Sequence, residues 1–243
     1  METAEPHDED GDGVFDVCDN CPATANFDQA DTTEEDMHAF ADRVGDACDL
    51  RPGLGGDTLV RLYTFAVETQ ASEWSGSGFS ISGDALNANA SAQWSRVRTS
   101  TGDGLVALAQ IASLSLDVDT ELAIELDGAA GGGGTSCVLL RRVDETDALI
   151  ARDSSGVIMT QLLAPGILPA DPFTLIAWRN IVLVEGVRVA RLICRMIRDG
   201  KTTEATLTLT DDLVSGQVSL STTNAAVAIS SLSVYSSPGP KNP

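Results

Sequence analysis

Residues 8–22 read DEDGDGVFDVCDNCP, and this stretch decides how the N-terminal part of the chain folds. Its carboxylates fall at relative positions 1, 3, 5, 9 and 12, with a glycine at position 6. Ca²⁺ takes about six to eight oxygen ligands, and a loop of alternating aspartates with a sharp glycine turn wraps them around one ion. Without an ion, the carboxylates would repel one another at close range. The stretch therefore predicts a calcium site. Its predicted ligands are Asp8, Asp10, Asp12, Val14 through its carbonyl, Asp16 and Asp19.

The flanks of this loop separate the motif families that share its spacing. An EF-hand needs a helix on each side and usually a Glu at position 12, whereas this chain has Asp19 there and only a short, proline-containing segment before the loop. A dockerin-type loop would continue into an apolar helix, which Cys21-Pro22 stops. The pattern DxDGDGVxDxCDNCP resembles the thrombospondin type 3 repeat. That resemblance implies an extended, calcium-wrapped chain with little secondary structure.

Two later segments extend the resemblance. Residues 26–31 (NFDQAD) and 42–49 (DRVGDACD) are similar to the opening and the close of the family's next repeat, but residues 32–41 (TTEEDMHAFA) stand between them and predict a short acidic helix. The resemblance implies a disulfide between Cys21 and Cys48, a second calcium site and one to three Ca²⁺ ions in all. The candidate ligands of the second site are Asp31, Asp42, Asp46 and Asp49, with Asp28 as a lesser candidate.

The other cysteines bear on compartment. In the family, Cys18 would pair with a preceding repeat that this chain does not contain, so either the natural protein has more N-terminal repeats or Cys18 is free. Cys137 and Cys194 lie in apolar, strand-like runs, and the sequence leaves open whether they pair or are buried thiols. Disulfides and calcium sites predict an extracellular or cell-surface protein. Since the chain shows no secretion signal, we expect a signal to have been removed.

Negative charge is concentrated at the N-terminus. The distribution of basic residues excludes nucleic acid as a partner, and the distribution of apolar residues excludes a membrane span. The first 57 residues carry a net charge of −15 out of −21 for the whole chain. No basic stripe is present to neutralise phosphates, which excludes nucleic acid as a partner. No apolar run of about 18 residues is present, so the sequence predicts no membrane span.

The composition changes after a Pro- and Gly-containing joint, and the remainder predicts an all-β sandwich. We expect four parts: a calcium-binding segment at 1–50, a linker at 51–57, a sandwich at 58–236 and a disordered tail at 237–243. Short runs rich in Val, Ile, Leu and Thr, bounded by turn residues, predict two packed sheets. The predicted strands are 59–67, 78–82, 92–99, 105–114, 121–126, 137–143, 149–153, 157–162, 173–178, 181–185, 187–197, 203–210, 217–221 and 227–235.

Four segments of the sandwich carry a second resemblance. Residues 74–86 (WSGSGFSISGDAL), 138–142 (VLLRR), 215–220 (SGQVSL) and 228–234 (AISSLSV) resemble, in this order, parts of the concanavalin A-like (laminin G-like) jelly rolls. The resemblance implies a two-sheet jelly-roll sandwich with one concave face. The family includes sugar-binding lectins, adhesion modules, glucanases and lyases, so the fold alone does not decide the function.

The candidate ligand residues lie on the predicted strand 92–99. There Trp94, Arg96 and Arg98 share one side, where a Trp could stack on a sugar and the two Arg could hold its anionic groups. The alternative is that Trp94 packs at the rim of the sandwich and the arginines pair with nearby acids.

Catalysis is not expected. Glu121, Glu125 and Asp127 come nearest to the paired carboxylates of a glycosidase, but the aspartates around them favour an ordinary solvent-facing strand. Both histidines, His7 and His38, lie in the acidic segment, so the sandwich holds no histidine for a catalytic triad.

These observations predict a secreted or cell-surface protein in which calcium has a structural role and the sandwich binds a carbohydrate or a cell-surface protein. The alternative is a purely structural or adhesive protein, with the acidic segment as a stiff spacer that holds the sandwich away from a cell envelope or couples it to a partner. A glycoside hydrolase or lyase of the same fold is a further alternative.

Overall fold

The computed structural model describes residues 7–32, 41–51, 55–96, 104–126, 134–142, 146–163, 172–210 and 217–237. Within these residues the N-terminal segment contains turns and bends but no helix or strand, and 13 strands and one short 3₁₀ helix follow. The predicted acidic helix lies, over residues 33–40, outside the described residues. So does the predicted tail from residue 238 onward, while Ser237 belongs to the last strand.

The strands are antiparallel throughout. They are β1 Thr58–Tyr63, β2 Ser75–Ser77, β3 Ser80–Ile81, β4 Leu86–Ala88, β5 Ala92–Arg96, β6 Gly104–Leu126, β7 Thr135–Arg141, β8 Asp147–Arg152, β9 Ile158–Leu162, β10 Phe173–Val184, β11 Val187–Arg198, β12 Lys201–Thr208 and β13 Val218–Ser237. The 3₁₀ helix, Glu68–Glu73, follows β1.

Two long strands, β6 and β13, run through both layers of the sandwich and pair with each other from Gly104↔Ser237 to Leu126↔Val218. The first layer is β12-β11-β10, the first half of β6, the second half of β13, and β1. The second layer is β9-β8-β7, the second half of β6, the first half of β13, β5 and β2. Hydrogen bonding therefore continues from one layer into the other through β6 and β13, and β4 and β3 attach to the middle of β13.

Local irregularities let β6 and β13 bend from one layer into the other. Asp119 in β6 and Asn224 in β13 have φ of 58° and 53°, and the register between the two strands shifts next to Asn224. An extra residue in one strand of a pair bends that strand and increases its twist.

The structure confirms the all-β jelly-roll prediction, but three predicted strand breaks are wrong. Polar residues at the three breaks suggested turns. In the structure, β6 and β13 accommodate them through shifts of the strand register, and β10 keeps its pairing unbroken through Arg179 and Asn180. The short strands β2 and β4 were not predicted. The merged pairs are 105–114 with 121–126, 173–178 with 181–185, and 217–221 with 227–235.

The main core lies between the two layers, where alternate residues of each strand point inward. Leu122, Ile124 and Leu139 of the second layer meet Leu175 and Leu192 of the first, all at most 1% exposed. A disulfide between Cys137 on β7 and Cys194 on β11 joins the two layers, with a Cα–Cα distance of 5.3 Å. Of the two alternatives for these cysteines, the structure contains the paired one.

A second apolar cluster lies on the outer face of the first layer, where the N-terminal segment packs. Cys21, Val44 and Cys48 of that segment contact a strip of sheet residues, all buried. The strip consists of Val106, Leu108, Ile176, Trp178 and Tyr235. The N-terminal segment therefore lies on the sheet, and residues 7–32 and 41–51 do not extend away from the sandwich as a separate stalk.

Candidate metal centre

The first acidic loop gathers three carboxylates. One oxygen from each of Asp8, Asp10 and Asp12 lies within 4.8 Å of the others. The loop closes over Asp8, whose two oxygens accept hydrogen bonds from the backbone N–H groups of Gly11 at 2.9 Å and Gly13 at 3.0 Å. Both glycines have positive φ, 74° and 93°, a conformation that a residue without a Cβ adopts readily. The glycines of the motif thus turn the backbone so that the aspartates converge.

Backbone donors hold the second and third carboxylates in place. Asp10 Oδ1 accepts from the N–H of Asp12 at 3.1 Å, and Asp12 Oδ1 accepts from the N–H of Val14 at 2.8 Å. Asp12 Oδ2 accepts from the N–H of Asn26 at 2.7 Å, which ties the loop to the segment that follows it. The predicted ligand Val14 therefore lies in the same turn as the cluster.

Two carboxylate oxygens at this loop are buried and receive no hydrogen bond from the described residues: Asp10 Oδ2 and Asp19 Oδ2. Burial is the main cause that raises the pKa of Asp10 to about 6. The hydrogen bond from the backbone N–H of Asp12 lowers this pKa, whereas repulsion from Asp12, Asp19 and Asp8 adds to the rise. A buried carboxylate oxygen without a donor is costly unless a cation compensates it. Hard oxygen donors crowded in this way suit Ca²⁺, so these residues fit the ion that the motif predicts.

Asp16 and Asp19 stabilise the ends of the loop. Asp16 accepts from the backbone N–H of Glu9 and the ring of His7, both at 2.9 Å, and so closes the loop onto its start. Asp19 Oδ1 accepts from the N–H of Cys21 at 2.7 Å and from Gln29 Nε2 at 2.8 Å. Neither belongs to the group of three carboxylates within 4.8 Å.

A network of amides supports the loop, and the sequence analysis assigned these residues no role. Asn20 donates its backbone N–H to Gln29 Oε1 at 2.8 Å, and Asn26 Nδ2 donates to Asn20 Oδ1 at 2.7 Å. Gln29 also donates to Asp19 and has a left-handed φ of 50°. The NxDQxD pattern at residues 26–31 contains two of these residues, Asn26 and Gln29, and is the sequence feature from which this network could have been predicted.

The second predicted set of ligands does not converge in the described residues. Asp31, Asp42, Asp46, Asp49 and Asp28 form no group of three carboxylates within 4.8 Å there. Each accepts a backbone N–H, at 2.7–3.4 Å: Asp28, Asp42 and Asp49 from the residue two positions on, which shapes a turn, and Asp31 and Asp46 from Arg43 and Thr32, which joins the two acidic segments. Asp31 Oδ1 is buried without a hydrogen-bond donor in the described residues, as Asp10 Oδ2 and Asp19 Oδ2 are in the first loop.

Asp42 connects the second acidic turn to the linker. Its Oδ2 accepts the N–H groups of Gly56 at 2.8 Å and Asp57 at 2.6 Å. Asp57 also pairs with Arg51, with Nη2–Oδ1 at 2.6 Å, and both side chains are largely buried. The joint at 51–57 is thus fastened at both ends to the acidic segment.

The cysteines of the segment divide into a buried pair and one exposed thiol. Cys21 and Cys48 form a disulfide with a Cα–Cα distance of 5.6 Å, the pairing that the resemblance implied. Cys18 has no disulfide partner in the described residues, and its side chain is exposed.

Polar contacts continue the attachment of the loop to the sheet. The side chain of Glu9 is 9% exposed, and this burial raises its pKa to about 7. The charge of His7 and the hydroxyls of Ser230 and Ser231 on β13 lower this pKa, and the charge of Asp16 raises it. Two clefts of about 350 Å³ lie between loop and sheet. Both include Ala23 and Gln110 in their walls, so the contact between these residues bridges the gap.

The predicted sugar platform at Trp94 is not exposed. Trp94 is 7% exposed and points between the layers, with its ring centroid 6.0 Å from that of Trp74 and 5.6 Å from that of Phe79. The alternation of β5 places it opposite core residues, so it cannot stack on a ligand at the surface. Arg96 is the last residue of β5, and Arg98 lies outside the described residues.

The glutamates of β6 lie on the outer face of the second layer, because Leu122, Ile124 and Leu126 fill the core. Glu121 pairs with Arg152 at 3.4 Å, and Glu125 Oε1 accepts the N–H of Gly134 at 3.1 Å. These are contacts of a strand surface. The third carboxylate, Asp127, lies outside the described residues.

Comparisons with known proteins agree with the two parts of the chain. Residues 6–29 match the thrombospondin type 3 repeat family. No curated protein matches the chain. Within the described residues, no helix is both long and apolar enough to cross a membrane.

Solved structures share the fold of the sandwich. A legume lectin-like domain from Entamoeba histolytica is 11% identical with a TM-score of 0.55, covering 73% of this chain and 97% of that one. A GH43 protein from Bacillus licheniformis, BlXynB, is 14% identical with a TM-score of 0.51, covering 77% of this chain and 41% of that one. An engineered GH43 glycoside hydrolase is 9% identical with a TM-score of 0.53, covering 79% and 43%. At these identities the likeness shows the lectin-like jelly-roll fold alone.

Proposed function

We propose that this chain is a calcium-stabilised recognition module of the cell exterior, in which the N-terminal repeat is held on one face of the sandwich and the opposite face binds a glycan. The observation that carries the calcium part is the pair of buried carboxylate oxygens, Asp10 Oδ2 and Asp19 Oδ2, beside the converging Asp8, Asp10 and Asp12. Asp8, Asp10, Asp12 and Asp19 would hold the ion, and the ion would neutralise their charge.

Calcium binding should stabilise the repeat and its attachment together. The loop that would hold the ion is continuous with Glu9 and Ala23, which lie against the sheet. An ion that binds only the folded loop shifts the folding equilibrium towards the attached state. The role proposed for calcium is therefore structural. The two disulfides add to the stability of the fold, and they support a location in an oxidising compartment.

Calorimetry tests the calcium part. Ca²⁺ titrated into chelator-treated protein should bind, and the melting temperature should rise by several degrees. Asp10→Asn and Asp12→Asn should each weaken Ca²⁺ binding at least tenfold. Asp84→Asn is the matched control, because Asp84 is exposed, lies in a turn of the sandwich and has a positive φ of 53° that Asn also tolerates. Equal melting temperatures with Ca²⁺ and with EDTA would rule the proposal out.

The proposal of glycan binding is supported by a difference between the outer faces of the two layers. The repeat covers part of the first layer, so the outer face of the second layer is the one that it leaves for a ligand. On that face a buried apolar cluster occupies part of β6, β7 and β8, and the polar groups of the same face are the ion pair Glu121–Arg152, exposed Gln93 and half-buried Ser95 on β5, and half-buried Ser221 on β13. Such donors and acceptors can bond sugar hydroxyls. The likeness to a legume lectin-like domain adds support at the level of fold.

A glycan array tests this part independently of calcium. The disulfide-intact, calcium-loaded chain should bind a defined glycan class, and Arg152→Ala or Gln93→Ala should reduce binding at least fivefold. Arg195→Ala is a matched control, because Arg195 lies on the other layer in a surface pair with Glu204. An array without signal, together with self-association of the chain, would favour the adhesive alternative. Cleavage of the arrayed glycan, lost in Glu121→Gln, would instead indicate an enzyme.

A further inference from the structure

The edge strands of the sandwich differ in how they are protected. An unpaired strand edge presents a row of backbone N–H and C=O groups to any other strand, and proteins blunt such edges with charges or by keeping them short. On the first layer, β12 carries Lys201 and Glu204, and β1 carries Arg61. At one end of the second layer, β2 has only three residues. These edges all carry a recognised form of protection.

The remaining edge, β9, lacks such protection. It pairs with β8, β12 of the first layer lies close to it across the sandwich, and no second strand of the described residues is hydrogen-bonded to it. Three of its five side chains are apolar and open to solvent: Ile158 is 51% exposed, Met159 47% and Leu162 57%. Residues 154–163 contain no charged side chain, although 21% of the residues in the chain are charged. An exposed apolar edge of this kind favours association with another strand.

The pattern of β9 is complementary to itself. If two copies pair antiparallel about a two-fold axis at Thr160, Ile158 of each copy lies opposite Leu162 of the other. Ile158, Thr160 and Leu162 all lie on the outer face of the second layer, since they pair with Arg152, Ile150 and Ala148 of β8. Apolar cross-strand pairs of this kind stabilise a sheet, and an isologous contact of one surface with itself closes as a dimer.

The absence of charge on β9 is compatible with a second copy as the occupant. The chain carries a net charge of −21, so most contacts between two copies would oppose like charges. The β9 edge is uncharged, so a contact between two β9 strands places no like charges directly opposite each other. A basic partner would find no carboxylate on this strand to pair with.

We propose that β9 is a dimerisation edge, through which two copies join their second layers into one continuous sheet. The outer faces of the two second layers then lie side by side. A dimer of this form presents two copies of the same face to a surface and gains avidity without any new contact to a ligand.

Sedimentation equilibrium of the calcium-loaded chain with its disulfides intact tests the proposal. All proteins carry Cys18→Ser, which removes the exposed thiol as a source of dimers. The parent should dimerise, and Thr160→Lys should weaken dimerisation at least tenfold, because it places two ammonium groups opposite each other at the axis. Thr202→Lys, on the exposed edge strand β12, is the matched control and should dimerise like the parent. A parent that stays monomeric, or a dimer unaffected by Thr160→Lys, overturns the proposal.

Cross-linking gives a second readout that does not depend on the stability of the lysine variant. Thr160→Cys should form an intermolecular disulfide with glutathione disulfide as the oxidant, because residues opposite each other in an antiparallel pair have Cα atoms about 4.5–5.5 Å apart, within disulfide range. Each bond oxidises two thiols and reduces one glutathione disulfide to two glutathione molecules. Thr202→Cys should cross-link at least tenfold more slowly. Equal rates for the two variants would contradict pairing through β9.

Discussion

Gln110 of the first layer donates a hydrogen bond of 2.8 Å from Nε2 to the backbone carbonyl of Ala23 in the N-terminal segment. Its other amide atom, Oε1, accepts from the hydroxyl of Thr174 on the neighbouring strand at 2.7 Å. The hydroxyl thus fixes the orientation of the amide, and the amide fixes the segment. The contact spans 87 positions of sequence and joins the segment to the sheet between the two clefts.

Gln110→Ala should loosen the segment without disrupting the sandwich. Loss of one such bond costs about 1 kcal/mol, or roughly a fivefold change in an equilibrium. We expect hydrogen exchange of amides in residues 19–32 to accelerate several-fold, while exchange in β6 and β13 stays unchanged. Gln93→Ala, which truncates an exposed glutamine on β5, is the control. Unchanged exchange in both variants would mean that the apolar cluster alone holds the segment.

Removal of the inter-layer disulfide should lower stability more than any single hydrogen bond. Cys137 and Cys194 are separated by 57 residues, and a loop of that length corresponds to about 4 kcal/mol in the chain-entropy model. The double variant Cys137→Ala with Cys194→Ala should therefore unfold at clearly lower urea concentration. Far-ultraviolet circular dichroism should still show β structure, since the strands keep their partners. A midpoint equal to that of the parent would show that packing alone joins the layers.

The fold class and the first acidic loop were predictable because both follow from local patterns. Alternation of apolar side chains predicts strands directly, and the spacing of Asp8, Asp10 and Asp12 around glycines predicts converging carboxylates. Strand ends were less predictable. Asp119 and Asn224 resemble turn residues in sequence, and only the sheet shows that they bend a continuous strand.

The sequence could not show which side of each strand faces the core. Trp94 and Trp178 both lie in strands, but Trp94 faces the space between the layers, and Trp178 faces outward beneath the N-terminal segment. Which side of a strand faces which layer depends on contacts between residues far apart in the chain. For the same reason, nothing in the sequence indicated that the repeat packs onto the sheet.

The buried ion pair between Arg141 and Asp147 should be sensitive to substitution. The two residues face each other across β7 and β8, with Nε–Oδ1 at 2.8 Å and Nη2–Oδ2 at 3.1 Å, and the side chain of Asp147 is 2% exposed. Removing one partner of a buried pair typically costs about 3–5 kcal/mol. We expect Asp147→Asn to destabilise the protein near the lower end of this range in urea unfolding.

The surface pair Arg195–Glu204 is the matched comparison for that variant. It also joins neighbouring strands, with Nη2–Oε2 at 2.8 Å, but the side chain of Glu204 is 38% exposed. Water screens such a pair, so Glu204→Gln should cost less than about 1 kcal/mol. Similar effects from the two substitutions would contradict the assignment of burial as the cause.

The turn after β8 should give the protein a stability term that depends on pH. Asp153 Oδ1 accepts from Ser155 N–H at 2.9 Å, Ser155 Oγ at 2.8 Å and Val157 N–H at 2.8 Å. Burial acts to raise the pKa of Asp153, but these donors outweigh it and hold the pKa below its ordinary value. A lowered folded-state pKa stabilises the protein above the unfolded-state pKa, near 4, and this term is lost as the pH falls through the folded value. Asp153→Asn should therefore lower the free energy of unfolding at pH 6, and the difference from the parent should shrink as the pH falls below about 4. Asp199→Asn, in an exposed turn, controls for the loss of one charge. A difference that stays constant between pH 6 and pH 2.5 would show that the ionised carboxylate is not what stabilises this turn.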